Sequence, residues 1–533
     1  MTYSFLTQPD KTPQNQPIPG RESEMVRGRG GGYAFESNLW QQLRRCLLLG
    51  TADGSFYADR RKLSQEFLDI LRQAIAVDPP KVAAEIAYAS DGRALNNSAP
   101  ILAIVLLSMG ESPEAKRACT EIFPSVVRTG SHFYEWLRYT TDMRGMGKIV
   151  RVCGQQWLGN PDAKKLAYQL LKYGQRHGFT RRDALRLFHV KPQSDDHQAL
   201  YHWAVKGWDG VPDQPPAEAM EQIWWYERLR QDPSLTLDAI RMGRLTHEMV
   251  APIGNMTCEA WQLLFESMPL GATLRNLGSL TEIGVLKVHG TKNLDRLEAR
   301  LQSKKLLRKA RIHPIDVLKA IKTYESGGAL GRSQKTWTPI PRVLDILEGA
   351  LEGAFQVQEP THKVFLHAID ISGSMSWWSS AVAGLKCSEI AAALALATAK
   401  AEKNYIIRGF STQFIDLDIT ARDSFRSALK KTAGHTFGGT DASVAYRWAI
   451  ANKTKVDIFC FWTDSESWAG RSHPSQALAE YRRKVNPKAK AVYVTLQTNR
   501  ITLVDPRDPN SFDFGGFDPS LPKAIQAIAK MES

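Results

Sequence analysis

Apolar residues recur at three- and four-residue spacing from about Asn38 to Gly349, which is the pattern of amphipathic α-helices. Runs such as QLRRCLLL and AKKLAYQLLKY show this spacing, and short loops containing Gly, Pro, Asp or Ser separate them. Successive helix pairs with no strand pattern between them predict a stacked, HEAT-like helical-repeat architecture, although no strict period is present. Such a stack offers a long concave surface that suits an extended polymer.

The pattern changes at about His362. Residues 363–371 (KVFLHAIDI) form a short apolar run typical of a buried strand, and an apolar helix is predicted over 381–400. Further strand-like runs lie at 405–410, 456–462 and 491–496. Alternating strands and helices predict a doubly wound α/β domain with a parallel sheet, whose ligands bind beyond the carboxyl ends of the strands.

We therefore expect three regions. Residues 1–30 are rich in Pro, Gln, Arg and Gly, which predicts a flexible tail. Residues 31–358 form the helical-repeat domain and residues 359–533 the α/β domain, with the boundary near 357–361.

The composition of the chain indicates which class of partner to expect. The chain of 533 residues has a net charge of +14 and a pI near 9.4, which favours a polyanionic partner, nucleic acid first and an acidic membrane surface second. The six cysteines form no CxxC pair, and no apolar run is long enough to span a bilayer. These features predict a cytoplasmic protein without a zinc site, a disulfide framework or a membrane segment.

Oxygen-bearing side chains follow the predicted strands where they end. The segment DISGS starts at Asp370, GGTD ends at Asp441, and TDS is centred on Asp464. Hard oxygen ligands of this kind suit Mg²⁺. The alternative is that Thr440 or Asp441 caps a helix and Asp464 sits in an ordinary turn.

Three loops in this order resemble the metal-ion-dependent adhesion site of von Willebrand factor A (vWA) domains. The resemblance implies that an ion is surrounded by Asp370, Ser372, Ser374, Thr440 and Asp464. It also implies partner binding rather than catalysis. The motifs lack a clear general base, a second carboxylate cluster for a two-metal nuclease, and a P-loop.

A basic stretch, KYGQRHGFTRRDALRLFHVKP at 172–192, is the most informative part of the helical half. Thr180 is a candidate helix N-cap with Asp183 three residues later, close to a capping box. In the helix that follows, Arg182, Arg186 and His189 recur about one turn apart and share a face. Basic side chains there can neutralise phosphates, whereas the alternative is a solvated helix face.

This stretch resembles the signature segment of the Ro autoantigen (TROVE-domain) family. Gly31-Gly32-Tyr33, the segment from Met268 to Gly278 and Ile312-His313-Pro314 agree with the family in the same order. The resemblance implies a ring of helical repeats closed by a vWA domain, and the compact length is typical of bacterial members. It places Lys172, Arg176 and His189 where Y RNA contacts lie. The neighbouring candidates, inferred from spacing and charge, are Arg181, Arg182 and Arg186.

The function implied is a non-catalytic RNA-binding scaffold in RNA quality control or maturation. Y RNA-like small noncoding RNA would bind the outer surface, and single-stranded 3′ ends of misfolded or precursor RNA would enter a central hole. The bound RNA would tether an exoribonuclease such as polynucleotide phosphorylase. The alternatives are an adaptor that binds a protein through the metal site and, ranked third, a metal-dependent nuclease.

Overall fold

The computed structural model describes residues 11–50, 60–94, 96–289, 291–328, 335–355, 360–376, 385–433 and 438–531. The helical region up to residue 231 contains α1 (Leu39–Leu49), α2 (Arg60–Val77), α3 (Pro79–Ser90), α4 (Ser98–Met109), α5 (Pro113–Val126), α6 (Gly130–Met143), α7 (Lys148–Leu158), α8 (Ala163–Lys172), α9 (Arg181–Phe188), α10 (Asp195–Lys206) and α11 (Glu221–Gln231). The remainder contains α12 (Thr236–Arg241), α13 (His247–Val250), α14 (Cys258–Ser267), α15 (Leu270–Glu282), α16 (Thr291–Leu301), α17 (Lys304–Lys309), α18 (Pro314–Glu325) and α19 (Pro341–Ala354).

These helices pack mainly on near neighbours along the chain: α3 on α4 and α5, α4 on α6, α5 on α7, and α15 on α18. Side chains that cap the amino-terminal end stabilise the first turn of several of these helices. Asp78, Ser112 and Asp162 each accept a backbone hydrogen bond from the first turn of the helix that they precede. The stacked helical architecture predicted from apolar spacing is therefore confirmed.

The α/β region carries a six-stranded sheet, whose strands are β5 (Val364–Asp370), β6 (Asn404–Phe410), β7 (Phe414–Asp416), β8 (Ile458–Thr463), β9 (Lys490–Thr495) and β11 (Ser511–Gly515). Their order across the sheet is β11-β9-β8-β5-β6-β7. Its helices are α20 (Cys387–Ala401), α21 (Phe425–Ala433), α22 (Val444–Ala451), α23 (Pro474–Lys484) and α24 (Leu521–Lys530). All neighbouring strands of this sheet run parallel except β7, which is antiparallel to β6.

Both faces of this sheet are buried. Phe365 and Ile369 of β5 join a core shared with α20, α24 and the helical region, whereas Leu366 and Ala368 face α22 and α23 on the other side. Burial on both faces explains the continuous apolar runs that identified these strands in the sequence. The doubly wound domain is confirmed, and β7 and β11 are additional to the predicted strands.

The amino-terminal segment differs from the predicted flexible tail. Residues 11–30 pack against the α/β region, and Gln14 and Ile18 are buried. Strand β1 (Met25–Arg27) pairs with β2 (Tyr33–Glu36), and β2 pairs with β10 (Ile501–Thr502) of the α/β region. Residues 1–10 lie outside the described residues. The polar composition misled the prediction because this segment is held by specific hydrogen bonds, in addition to a small apolar cluster.

The helical region meets the α/β region at both of its ends. Arg45 of α1 forms a buried ion pair with Asp513 of β11, and Lys322 of α18 pairs with Glu389 of α20 at 2.7 Å. The two ends of the helical region also touch each other, because Arg311 pairs with Asp91 at 3.3 Å. The chain therefore closes on itself, as the resemblance to a ring-forming family implied.

Candidate functional sites

Two carboxylates lie together at the carboxyl edge of the central sheet. Asp370 is the last residue of β5, Asp464 follows β8 directly, and the two strands are neighbours in register, with Ile369 opposite Trp462. Both aspartates are fully buried. Parallel strands bring their ends to one edge, so the topology explains why residues 94 positions apart meet here.

Short hydrogen bonds orient this edge. Asp370 Oδ2 accepts the Thr463 hydroxyl at 2.6 Å and Oδ1 accepts the Ser372 amide at 2.9 Å. The Ser372 and Ser374 hydroxyls lie 3.2 Å apart. Asp464 Oδ1 accepts the Glu466 amide at 3.0 Å, whereas Oδ2 is buried and accepts no hydrogen bond from any residue that the structure describes.

Electrostatics at this edge favour a cation. Burial and the neighbouring Asp464 carboxylate raise the pKa of Asp370 to about 7. Burial also raises the pKa of Asp464. A divalent cation would neutralise this repulsion and complete the coordination of the buried Asp464 oxygen. Two carboxylates with serine hydroxyls fit Mg²⁺, which keeps several waters in its shell.

Thr440 reaches the same edge through its backbone. Its carbonyl accepts the amides of Trp468 at 2.9 Å and Ala469 at 3.0 Å. Within the described residues, no hydrogen bond joins its side chain to either aspartate. Asp441 has a structural role instead: its carboxylate accepts the Ser443 amide and hydroxyl just before α22 and pairs with Arg447 at 2.7 Å. Asp441 therefore forms a turn ahead of α22, whose N-cap residue is Ser443 and not Thr440 or Asp441.

Glu466 is a buried carboxylate at this edge that sequence reasoning missed. Burial and the nearby Asp464 raise its pKa to about 7. Its oxygens accept the backbone amides of Arg29 and Gly30 at 3.3 and 2.8 Å, so the amino-terminal segment forms part of the wall. The described residues contain no group of three or more His, Cys, Asp or Glu arranged to hold a metal ion. A bound ion would therefore depend on Asp370, Asp464, the hydroxyls and water.

The basic stretch of the helical region forms a hairpin followed by a helix. Strand β3 (Gln175–Arg176) pairs with β4 (Phe179–Thr180) through a two-residue turn at His177 and Gly178. Both turn residues have positive φ, 53° and 85°, as a twisted two-residue hairpin requires. The hairpin leaves Arg176 exposed. Strand periodicity is not visible in this part of the sequence because each strand is only two residues long.

Helix α9 begins at the predicted capping box. The Thr180 hydroxyl accepts the Asp183 amide at 3.2 Å, and the Asp183 carboxylate accepts the Thr180 amide at 2.8 Å. One face packs inward through Ala184, Leu185 and Phe188. Arg182, Arg186 and His189 are exposed, and His189 ends the helix in the left-handed conformation with φ 49°.

Two predicted RNA contacts are partly buried. The Arg181 guanidinium lies 3.8 Å from the Trp203 ring centroid, and burial lowers its pKa. The Lys172 side chain is 13% exposed. Its ammonium donates a hydrogen bond to the Tyr168 hydroxyl at 3.1 Å and pairs with Glu248 at 3.4 Å. Arg181 thus departs from the prediction, because its side chain turns towards α10, and Lys172 is only partly accessible.

The comparisons with known proteins agree with this architecture. The family model of the TROVE domain matches residues 243–363, and that of the Ro60 vWA domain matches residues 364–529. Within the described ranges, no helix is long and apolar enough to cross a membrane.

Full-length relatives extend the match over the whole chain. RNA-binding protein RO60 of Deinococcus radiodurans is 32% identical over 98% of both chains. RNA-binding protein RO60 of Caenorhabditis elegans is 27% identical over 94% of this chain and 89% of its own. The crystal structure of the Deinococcus radiodurans RO (RSR) protein superposes with a TM-score of 0.69 and 30% identity, covering 92% of this chain and 99% of that one. The chain therefore belongs to the Ro60 family, with a TROVE domain followed by a Ro60 vWA domain.

Proposed function

We propose that this protein is a non-catalytic RNA-binding scaffold whose outer contact surface is the hairpin and helix α9. The observation that carries the proposal is a cluster of exposed basic side chains within fourteen residues: Arg176, Arg182, Arg186 and His189. No described residue forms an ion pair with Arg182 or Arg186. Arginines that lack acidic partners are available to phosphate oxygens. The name of both curated relatives, RNA-binding protein, supports the same class of ligand.

The finer assignment is a small structured RNA of the Y RNA type on this face. Lys172 adds to it only if the RNA displaces Glu248, because that carboxylate already pairs with its ammonium. The closure of the helical region onto the α/β domain is compatible with a central hole that admits single-stranded 3′ ends of misfolded or precursor RNA. Bound RNA would then tether an exoribonuclease such as polynucleotide phosphorylase, which supplies the catalysis in RNA maturation or quality control.

An electrophoretic shift with two RNAs tests this proposal. One RNA is a stem with a single-stranded 3′ tail, and the other is the same stem with a blunt end. Wild type is expected to bind both, with a preference for the tail, and to cleave neither in the presence of Mg²⁺. Replacing Arg176, Arg182 and Arg186 by alanine is expected to weaken stem binding while the tail preference persists. Failure of wild type to bind either RNA at low salt would refute the proposal.

A second candidate function concerns the metal edge. Asp370 and Asp464 are buried together, and one Asp464 oxygen has no described hydrogen-bond partner. We propose that these two residues, with Ser372 and Ser374, hold Mg²⁺ and that the ion completes its coordination with a carboxylate of a protein partner. Partner binding should then survive high salt, disappear with EDTA and return with added Mg²⁺. Binding that is insensitive to EDTA, or that is lost in high salt alone, would contradict the adaptor function.

A further inference from the structure

A cavity of about 360 Å³ lies between the helical region and the α/β region, apart from the two sites above. Its volume falls within the range of small-ligand pockets. Helices α1 and α3 line one side, and β11 and α24 line the other. The residues that line the cavity include Trp40, Arg44, Lys81, Tyr88, Asp513 and Phe514.

Asp513 gives this cavity an unpaired acceptor. Its side chain is 1% exposed, and its Oδ2 atom accepts a hydrogen bond from the guanidinium of Arg45, with which it forms an ion pair. Oδ1 is buried and has no hydrogen-bond partner among the described residues. Arg45 also donates to Asn499 Oδ1 at 2.7 Å, to the Asn499 carbonyl at 3.3 Å and to the Ile501 carbonyl at 2.6 Å. Because buried acceptors are nearly always satisfied, a ligand N–H at this wall would complete the set.

Flat groups flank the same cavity. Lys81 Nζ stands 4.1 Å from the centroid of the Trp40 ring, and the Arg44 guanidinium forms a two-pronged pair with Glu85 while remaining half-exposed. Indole rings and guanidinium planes are the surfaces on which unpaired nucleobases stack. Lys81 can leave the indole because it is exposed and has no ion pair among the described residues.

Asp518 lines both this cavity and a second, basic cavity of about 410 Å³, and its carboxylate pairs with Arg93 at 3.7 Å. The second cavity is lined by Arg93, Arg308, Lys309 and Arg311. Asp91 pairs with two of these cations, Arg93 and Arg311, and within the described residues neither Arg308 nor Lys309 has an ion pair. The cavity therefore holds more cations than acids, which suits a phosphate group.

We propose that the two cavities together bind one unpaired nucleotide. The base donates an amino or imino N–H to Asp513 Oδ1 and stacks against Trp40 and Arg44, and the phosphate faces the basic cavity. The proposal deepens the proposed RNA-binding function by giving it a site for a single nucleotide at the domain junction. A free nucleoside monophosphate and an unpaired nucleotide of an RNA strand offer this same chemistry.

Two measurements on the full chain separate these sources. Calorimetric titration with AMP, CMP, GMP and UMP detects a free nucleotide. Photocrosslinking of a 4-thiouridine-containing single strand, mapped by mass spectrometry, detects a strand. The test variants are Trp40→Ala, which removes the stacking surface, and Lys309→Glu, which reverses a charge in the basic cavity. The matched control is Lys116→Glu, because Lys116 is also an exposed helical lysine and lies on α5, which contributes no residue to either cavity. Lys309→Glu keeps the test valid if loss of the indole impairs folding.

Monophosphate binding that weakens about fivefold or more in Trp40→Ala and Lys309→Glu, but not in Lys116→Glu, supports a free nucleotide. Crosslinks at Trp40 or Tyr88 without monophosphate binding support an RNA strand. If no monophosphate binds and no crosslink maps to the junction while the blunt stem still binds, the nucleotide site is refuted and the outer RNA surface stands. If the stem fails to bind while monophosphates bind at the junction, the proposed RNA scaffold fails and the nucleotide site survives.

Discussion

Removing the three exposed arginines of the outer basic face should lower the salt dependence of RNA binding, not only its affinity. The variant is Arg176→Ala/Arg182→Ala/Arg186→Ala. Each of these guanidiniums is exposed, and no described residue forms an ion pair with any of them. Each is therefore free to neutralise one phosphate and release its counterion.

The magnitude follows from three lost phosphate contacts. The logarithm of the binding constant changes with the logarithm of salt concentration by about −0.7 to −0.9 per neutralised phosphate. The variant should therefore show a slope shallower by about 2 to 3. Between about 50 mM and about 200 mM salt, the affinity advantage of wild type should shrink by about 20- to 40-fold. Replacing Arg181 should leave the slope nearly unchanged, because its guanidinium is stacked on Trp203.

Fluorescence anisotropy with the labelled blunt stem at five salt concentrations measures both slopes. The matched control is Arg72→Ala/Arg138→Ala/Arg241→Ala. It removes the same charge from helical arginines that are exposed but already paired with acids. If the control lowers the slope as much as the test variant does, net charge alone accounts for binding and the assigned face is wrong. An unchanged slope in the test variant would refute the phosphate contacts directly.

Three further predictions concern buried residues. Burial lowers the pKa of His367 to about 3 and of His313 to about 4. At each of these histidines the unfolded chain binds more protons below about pH 6.5, so each should lower the free energy of unfolding by about 2 kcal/mol at pH 5. The raised pKa values of Asp370 and Glu466 act in the opposite direction, so the test compares wild type with His367→Gln. In urea unfolding at pH 7 and pH 5 the variant should retain about 2 kcal/mol more of its stability at the lower pH, and the same pH dependence in both proteins would contradict this. Mg²⁺ at about 100 times its Kd should stabilise wild type by about 2.7 kcal/mol and leave Asp464→Asn unaffected in thermal unfolding. Gly154→Ala should destabilise the fold by about 1 to 3 kcal/mol, because an added Cβ would lie 2.2 Å from the Phe188 ring; an unchanged midpoint of urea unfolding would oppose this packing argument.

The sequence was sufficient where the determining contacts are local. The start of α9 was predictable because Thr180 and Asp183 satisfy each other within three residues. The edge carrying Asp370 and Asp464 was predictable because parallel strands end together. Whether that edge binds Mg²⁺ stays a prediction.

Side-chain direction was less predictable, because it depends on distant partners. Arg181 and Arg182 are adjacent and chemically identical, and only contact with Trp203 of α10 separates the stacked residue from the exposed one. Lys172 likewise lies in the basic stretch, but Glu248, 76 residues later, holds its ammonium. Charge patterning along a helix cannot reveal such partners, so it overestimates the number of cations available to RNA.

The amino-terminal segment shows why low apolar content did not mean flexibility here. The Gln14 side chain donates to Asp441 Oδ1 and to the Ser472 carbonyl, both at 2.8 Å, and accepts the Ser467 hydroxyl at 2.7 Å. These partners lie more than 420 residues away in sequence, and Asp441 and Ser467 flank the loops that carry Thr440 and Asp464. Since Glu466 also receives the Arg29 and Gly30 amides, the chain's first described residues and its candidate metal edge are one hydrogen-bonded unit. The amino-terminal segment therefore contacts the candidate metal edge at Gln14, Arg29 and Gly30, and β2 leads from it directly into α1, the first helix of the helical region.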